Sequence, residues 1–233
     1  GEAGAWLSLG HLRALAADLA GAEACYVRAL AGAHAASYAP GVAAALLALA
    51  RAAAARGRPL RAVELLAEAA VIYEGLRQPR GVAAAECQAA PLVAAVGRPG
   101  EARAQIDEVL ATFRGLSFRE GEAAALGNLG ALDLADGKLA DAEARFSEAR
   151  ALYAALSDPA GEANARMALA EVACWRGDDA RASEEVEAAS RLLARSGDAL
   201  SEAERLRIAA FLAREAGRPE AARALAGEAR RLY

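Results

Sequence analysis

The sequence repeats every 40 residues, and this period constrains the fold more than any other feature of the chain. Written in rows of 40, all 233 residues align without a gap. A glycine opens rows one to five (Gly1, Gly41, Gly81, Gly121, Gly161). A second glycine lies near the middle of rows two to six (Gly57, Gly97, Gly137, Gly177, Gly217). Five residues after that middle position, every row has an alanine (Ala22, Ala62, Ala102, Ala142, Ala182, Ala222). Such a repeat indicates a small unit of secondary structure stacked on copies of itself.

Each row predicts two antiparallel α-helices. In row four, Leu126, Leu129 and Leu132 follow helical spacing, and Gly137 lies just past them, where glycine ends a helix in the left-handed conformation. A second apolar stripe follows, formed by Ala142, Phe146, Ala149, Tyr153 and Leu156. Asp158 and Pro159 then supply the cap and first turn of the next helix. Because one helix pair cannot bury its apolar face, we expect a single all-α solenoid over residues 1–233, with the repeats 1–40, 41–80, 81–120, 121–160, 161–200 and 201–233.

Four residues depart from this pattern. Glu86 and Arg166 occupy a position of the first helix that is apolar in the other rows. Pro91 lies inside the first helix of row three, where the missing N–H predicts a kink at a cost of roughly 3 kcal/mol. Ala17 replaces the turn glycine of row one, so we expect that turn to differ.

Composition excludes several classes of protein. Hydrophobic residues make up 56% of the chain but aromatic residues only 5%, so the helices must pack through small side chains. No uncharged apolar run approaches the ~20 residues that span a bilayer, so we expect no membrane association. A net charge of −4 argues against direct nucleic-acid binding. Cys25, Cys87 and Cys174 are widely spaced in helical segments, which favours thiols in a cytoplasmic protein over disulfides.

The residues give no sign of catalysis. The chain has two histidines, His11 and His34, and they do not assemble the three or four ligands that a metal site needs. The acidic residues around Gly137 flank a turn, where they stabilise helix ends without acid–base chemistry. We therefore predict that the chain is not an enzyme and binds no metal or cofactor. Because it starts at Gly1 without a methionine, we expect a fragment of a larger protein, and its arginine- and alanine-rich composition indicates a bacterial source.

The row pattern resembles the tetratricopeptide repeat over the full length of the chain. Row four carries the signature of that family as Leu126, Leu129-Gly130, Gly137, Ala142, Phe146 and Ala149. The 40-residue period is similar to the longer-helix subclass found in kinesin light chains, Pins-type adaptors and the sensor regions of bacterial LuxR-type and related ATP-dependent regulators. This resemblance implies a right-handed superhelix of six helix hairpins whose first helices line a concave groove.

The same resemblance implies which residues face the groove. They are Arg51, Asn128, Glu171, Trp175, Arg207, Phe211 and Arg214. By resemblance Asn128 would bond the backbone of a bound peptide, and an exposed tryptophan such as Trp175 is an efficient contact residue. The alternative interpretation is that these are ordinary helix-surface residues and that the Trp175 ring covers the next hairpin.

Two functions fit these observations. The first is a scaffold that binds a protein or peptide segment in the groove, and the alternative is a ligand- or partner-sensing regulatory domain of a bacterial transcription regulator or signalling ATPase.

Charge is distributed unevenly along the chain, because row two has six arginines against three acids while row four has three basic and seven acidic residues. Row five has five basic and eight acidic residues. A partner of opposite charge would be steered to one segment, and self-association of oppositely charged segments is allowed.

Overall fold

The computed structural model describes residues 2–16, 18–196, 206, 209, 210, 213, 217 and 219–231. These residues form α-helices joined by short turns and include no strand. The all-α prediction is therefore confirmed for the described part of the chain.

The helices follow one another at a constant interval. Each helix from α3 to α10 begins 20 residues after the one before it, and those from α2 to α9 span 17 residues each. The described helices are α1 (Glu2–Leu15), α2 (Leu19–Ala35), α3 (Ala39–Ala55), α4 (Pro59–Gly75), α5 (Pro79–Ala95), α6 (Pro99–Gly115), α7 (Arg119–Ala135), α8 (Leu139–Ala155), α9 (Pro159–Trp175), α10 (Asp179–Ser196) and α11 (Pro219–Arg231).

The chain divides into two compact units, residues 1–121 and 122–233. In the first unit each helix from α1 to α5 packs against its successor, and α1 also contacts α3. In the second unit α9 packs against both α8 and α10. Within each unit, consecutive helices therefore form hairpins that stack on their neighbours, as expected for helical repeats.

The turn within a hairpin uses glycine in rows two to six, as predicted. Gly57 has a φ of 69°, and its N–H donates to the carbonyl of Ala54 at 2.9 Å. The next N–H, that of Arg58, reaches back to the carbonyl of Ala53 at 2.9 Å. This is the Schellman arrangement, which satisfies the last carbonyls of a helix and requires a left-handed residue. The equivalent residues Gly97, Gly137, Gly177 and Gly217 also have positive φ, while Ala17 lies outside the described residues.

The turn between hairpins has the same geometry without glycine. Ser37, Arg77, Ser117 and Ser157 have φ values between 50° and 56°, a region that costs a non-glycine residue about 1–2 kcal/mol. No sequence feature predicted these four positions. The cap predicted at Asp158 is confirmed, because its carboxylate accepts hydrogen bonds from the N–H groups of Ala160 and Gly161 at 3.1 and 3.0 Å.

The recurring alanines are buried wherever the structure describes them. Ala22, Ala62, Ala102 and Ala142 have no exposed surface, and Ala182 is 2% exposed. The side chain of Ala222 lies outside the described residues. Close approach of two helices therefore explains this column, because a larger side chain would have no room.

The glycine that opens a row lies under an aromatic ring from a preceding segment. A Cβ added to Gly161 would lie 2.3 Å from the ring of Tyr153. In row one Ala33 replaces that aromatic residue, and the ring of Tyr38 covers Gly41 in its place, 2.4 Å from an added Cβ. Glycine therefore recurs at this position because an aromatic ring packs directly on the backbone where one hairpin meets the next.

Two glycines of α7 provide a matched test of this packing. A Cβ on Gly130 would lie 2.7 Å from the ring of Phe146, whereas one on Gly127 would meet nothing within 4 Å. We expect Gly130→Ala to lower the free energy of unfolding by about 1–3 kcal/mol through overpacking. Gly127→Ala should raise it by about 0.5–1 kcal/mol, because alanine favours the helix. Urea denaturation followed by circular dichroism measures both, and equal effects would contradict the proposed contact.

The departures from the row pattern have separate structural outcomes. Helix α5 continues through Pro91 to Ala95, so the proline does not end it. Arg166 is accommodated by ion pairs with Glu162 at 2.8 Å and Glu185 at 3.0 Å. Glu86 is half-buried, and its burial, followed by the charges of Glu108 and Glu74, raises the pKa of its carboxyl above the usual value.

Candidate functional site

The second unit contains an open cleft of about 670 Å³ formed by α7, α8 and α9. Most of its lining is apolar: Ala131 and Leu134 from α7, Leu139 and Phe146 from α8, and Ala168 from α9. Leu134 and Leu139 are only half-buried, so the cleft offers apolar surface that its own helices do not cover. Such a concave apolar surface is typical of a binding site.

Two of the predicted groove residues, Glu171 and Trp175, line this cleft. They lie four residues apart on α9, which places both side chains on the same face of the helix. Trp175 is 64% exposed, whereas Glu171 is half-buried. The alternative interpretation of Trp175, a ring that covers the next hairpin, stays a prediction, because most of residues 201–217 lie outside the described residues.

Of the remaining predicted residues the structure describes Asn128 and Arg51, and neither lines the cleft. Asn128 is half-buried on α7 and is not among the residues that line the cleft. Arg51 is exposed on α3 in the first unit. Arg207, Phe211 and Arg214 lie outside the described residues.

Arg51 instead takes part in a contact between repeats one and two. Its Nη2 lies 3.4 Å from Nε2 of His11, and the His11 ring packs against Tyr26 with a centroid separation of 5.5 Å. Burial, followed by the charge of Arg51, lowers the pKa of His11 below its ordinary value. A neutral imidazole can accept a hydrogen bond from the guanidinium, so the pair has a structural explanation.

A buried ion pair holds α7 against α8 next to the cleft. Asp133 is 1% exposed and is the buried charged residue among those that the structure describes. Its Oδ2 lies 2.6 Å from Nε of Arg145, whose side chain is 31% exposed. Because Asp133 adjoins Leu134 in the sequence, this pair helps to fix one wall of the cleft.

A second charge cluster fixes the end of α9. Glu143, near the start of α8, accepts hydrogen bonds from Arg176 and Arg181, with Nη2 of Arg181 at 2.5 Å. Burial alone would raise the pKa of Glu143, but the hydrogen bonds and charges of the two arginines lower that pKa below its usual value. Arg176 directly follows Trp175, so this cluster restrains the backbone that carries the ring. The first unit has a similar cluster, in which Glu23 pairs with Arg56 and Arg58.

The first unit has a smaller cleft of different chemistry. It measures about 360 Å³ and is lined by polar residues that include Glu74, Arg77, Glu86 and Thr112. Among the described residues, no aromatic side chain lines it. This cleft therefore has no counterpart of the Trp175 ring.

Neither a membrane span nor a metal centre is found among the residues that the structure describes. None of the described helices combines the length and the apolar character needed to cross a membrane. The described His, Cys, Asp and Glu side chains form no group of three or more arranged to hold a metal ion.

Sequence reasoning did not predict the floor of the cleft. Leu139 stands at the first position of α8, directly after the turn, where α4 and α6 have Pro59 and Pro99. A leucine in place of the proline that starts α4 and α6 was the available signal, and it was a weak one because α2 also begins with a leucine, Leu19. Leu134 and Phe146 carried no such signal, because apolar residues at helical spacing are typical of a core.

No protein-family model and no curated protein sequence matches the chain. Solved structures do match. The crystal structure of BtubC (BKLC) from P. vanneervenii is 24% identical over 81% of this chain and 78% of that chain, with a TM-score of 0.62. A Rap protein complexed with Competence and Sporulation Factor is 16% identical over 97% and 73% of the two chains, with a TM-score of 0.79.

A third solved structure identifies the type of repeat. A putative kinesin light chain from Podosopora anserina, described as having nearly identical TPR-like repeats, is 20% identical over 80% of this chain and 92% of that chain, with a TM-score of 0.56. These likenesses show a tetratricopeptide-like fold, as the row pattern predicted.

Proposed function

We propose that this tetratricopeptide-like solenoid is a protein- or peptide-binding scaffold that holds an extended segment in the α7–α9 cleft. The observation that carries the proposal is the 64% exposure of Trp175 at the edge of an apolar cleft. Exposed tryptophans contribute disproportionately to binding energy, because a partner removes a large apolar ring from water at small conformational cost.

The surroundings of the cleft support this proposal. The Asp133–Arg145 pair and the Glu143 cluster hold both walls in place before a partner arrives. A preformed site loses less conformational entropy on binding than a flexible one. The apolar lining supplies contact area, while Glu171 is a charged group that can orient the guest.

Selection from a random heptapeptide library displayed on phage tests the proposal. Ala131 is exposed on α7 and lines the cleft, so Ala131→Trp should fill the cleft without disturbing the core. The matched control is Ala151→Trp, which makes the same change at an exposed alanine of α8 that does not line the cleft. We expect the protein and the Ala151→Trp control to enrich the same peptides, and Ala131→Trp to bind those peptides about tenfold more weakly or worse.

Two results would contradict the proposal. The first is a library from which the protein enriches no peptide. The second is a set of enriched peptides that Ala131→Trp binds as well as Ala151→Trp does, which would place binding elsewhere on the surface.

The alternative predicted from the sequence is a sensing domain of a bacterial regulator. In that case the ligand or partner that is sensed would bind in the same cleft. One of the similar solved structures is described as a Rap conjugation gene regulator in complex with the Phr* peptide. The coding sequence on either side of this segment tests the alternative, because a DNA-binding domain or an ATPase domain is expected there. We also propose that the protein acts in the cytoplasm of a bacterium and that this part of it does not bind nucleic acid directly.

A further inference from the structure

The chain contains the pattern Glu-x-x-x-Trp twice, once on α1 and once on α9. On α1 the pattern is occupied by an arginine. Trp6 donates from Nε1 to Oε1 of Glu2 at 3.3 Å, and the guanidinium carbon of Arg28 lies 4.6 Å from the centroid of the Trp6 ring. Acid, ring and cation therefore share one face of the first hairpin.

The second pattern has the acid and the ring with room for a guest. Glu171 and Trp175 lie at the same four-residue spacing as Glu2 and Trp6. Glu171 makes no hydrogen bond or ion pair with any residue that the structure describes, although it is half-buried in an apolar cleft. No cation is described over the Trp175 ring, which is 64% exposed.

Burial makes this difference important. A half-buried carboxylate has lost part of its hydration, so a cation that pairs with it there gains more than one at a fully exposed site. Arginine suits the pair better than lysine, because its planar guanidinium stacks on an aromatic face and can bond a carboxylate through two N–H groups. The chain also pairs Arg80 with Phe118 at 3.9 Å from the ring centroid, so stacking of arginine on a ring occurs a second time within it.

We propose that the α9 pair Glu171 and Trp175 is an arginine-recognition subsite, and that the partner is a peptide segment with an arginine next to an apolar residue. This inference depends on the proposed function of the cleft. The guanidinium lies on the Trp175 ring and bonds Glu171, and the neighbouring apolar side chain packs on Leu134, Leu139 and Phe146. The acidic balance of this region favours such a partner, since row four has three basic against seven acidic residues and row five has five against eight.

The peptides selected from the heptapeptide library provide the test. We expect arginine beside an apolar residue to dominate the peptides enriched by the protein. The strongest of these peptides is then synthesised with arginine, lysine or citrulline at that position, and its affinity is measured by fluorescence anisotropy. Citrulline keeps the shape of arginine without its charge, and we expect it to weaken binding about tenfold or more.

Three variants test which residues cause the preference for arginine. Glu171→Arg should reverse the preference, so that acidic peptides are enriched in place of arginine-containing ones. Trp175→Leu keeps apolar area but should abolish the preference for arginine over lysine, because it removes the ring. Trp6→Leu, the matched change at the occupied pattern, should leave peptide preference unaltered.

The outcomes separate this inference from the proposed function. Peptides that are blocked by Ala131→Trp but show no arginine preference would overturn the subsite and leave the binding scaffold in place. An arginine preference that persists in both Glu171→Arg and Trp175→Leu would also overturn the subsite. A library without any enriched peptide would overturn both proposals.

Discussion

Replacing Arg145 by leucine is expected to lower the free energy of unfolding of the second unit by about 3 kcal/mol. The change removes the guanidinium that lies 2.6 Å from Asp133 and leaves a carboxylate that is 1% exposed. Losing one partner of a buried pair costs about 3–5 kcal/mol, and we place this case at the lower end because the Arg145 side chain is 31% exposed. Urea denaturation followed by circular dichroism measures the change.

The second repeat supplies the matched control for this prediction. Ala53 and Leu65 stand at the positions of Asp133 and Arg145, and they are 3% and 4% exposed. The double variant Asp133→Ala with Arg145→Leu copies that apolar pair, so we expect it to recover most of the lost stability. A double variant as unstable as Arg145→Leu alone would show that the charge pair is not the cause.

Replacing Pro91 by alanine is expected to raise the free energy of unfolding of the first unit by up to about 3 kcal/mol. Pro91 lies in the interior of α5 and is exposed, so its ring contributes little packing. It has no N–H to donate to the carbonyl of Cys87, and alanine restores that donor. Urea denaturation followed by Trp6 fluorescence, in a Trp175→Phe background that removes the other tryptophan, reports on this unit.

Pro99 is the control, because it occupies the first position of α6, where proline suits the helix. Pro99→Ala should therefore lower stability, by about 0.4–1 kcal/mol, through greater freedom of the unfolded chain. A Pro91→Ala variant that is no more stable than the original would indicate that its neighbours require the altered backbone at that residue.

The sequence predicted the helices well because the same physical requirement recurs at the same interval. Gly57 and its equivalents had to adopt positive φ, and Ala142 and its equivalents had to admit a neighbouring helix, so both columns were readable without coordinates. Ser37 and Arg77 were not predicted, although they have the same backbone conformation as Gly57. Serine and arginine adopt that conformation only because the surrounding helices impose it, and composition does not reveal such a constraint.

The lining of the candidate cleft was predicted only in part. Glu171 and Trp175 were named from a family pattern, and the structure places both in one cleft. Asn128 was named by the same pattern, yet it does not line the cleft, because a repeat position fixes a helix face and not the depth of its side chain. The half-exposed floor at Leu134 and Leu139 depends on how three helices meet, which a linear pattern does not specify.

The uniform helix length described above restricts how the gene can change. Adding or deleting a single codon inside a helix would turn every later side chain of that helix by about 100° and point its buried alanine toward water. Duplicating or losing one complete 40-residue block would keep every face in register. Natural length variants of this protein should therefore differ by whole blocks, with other insertions confined to the short segments between helices.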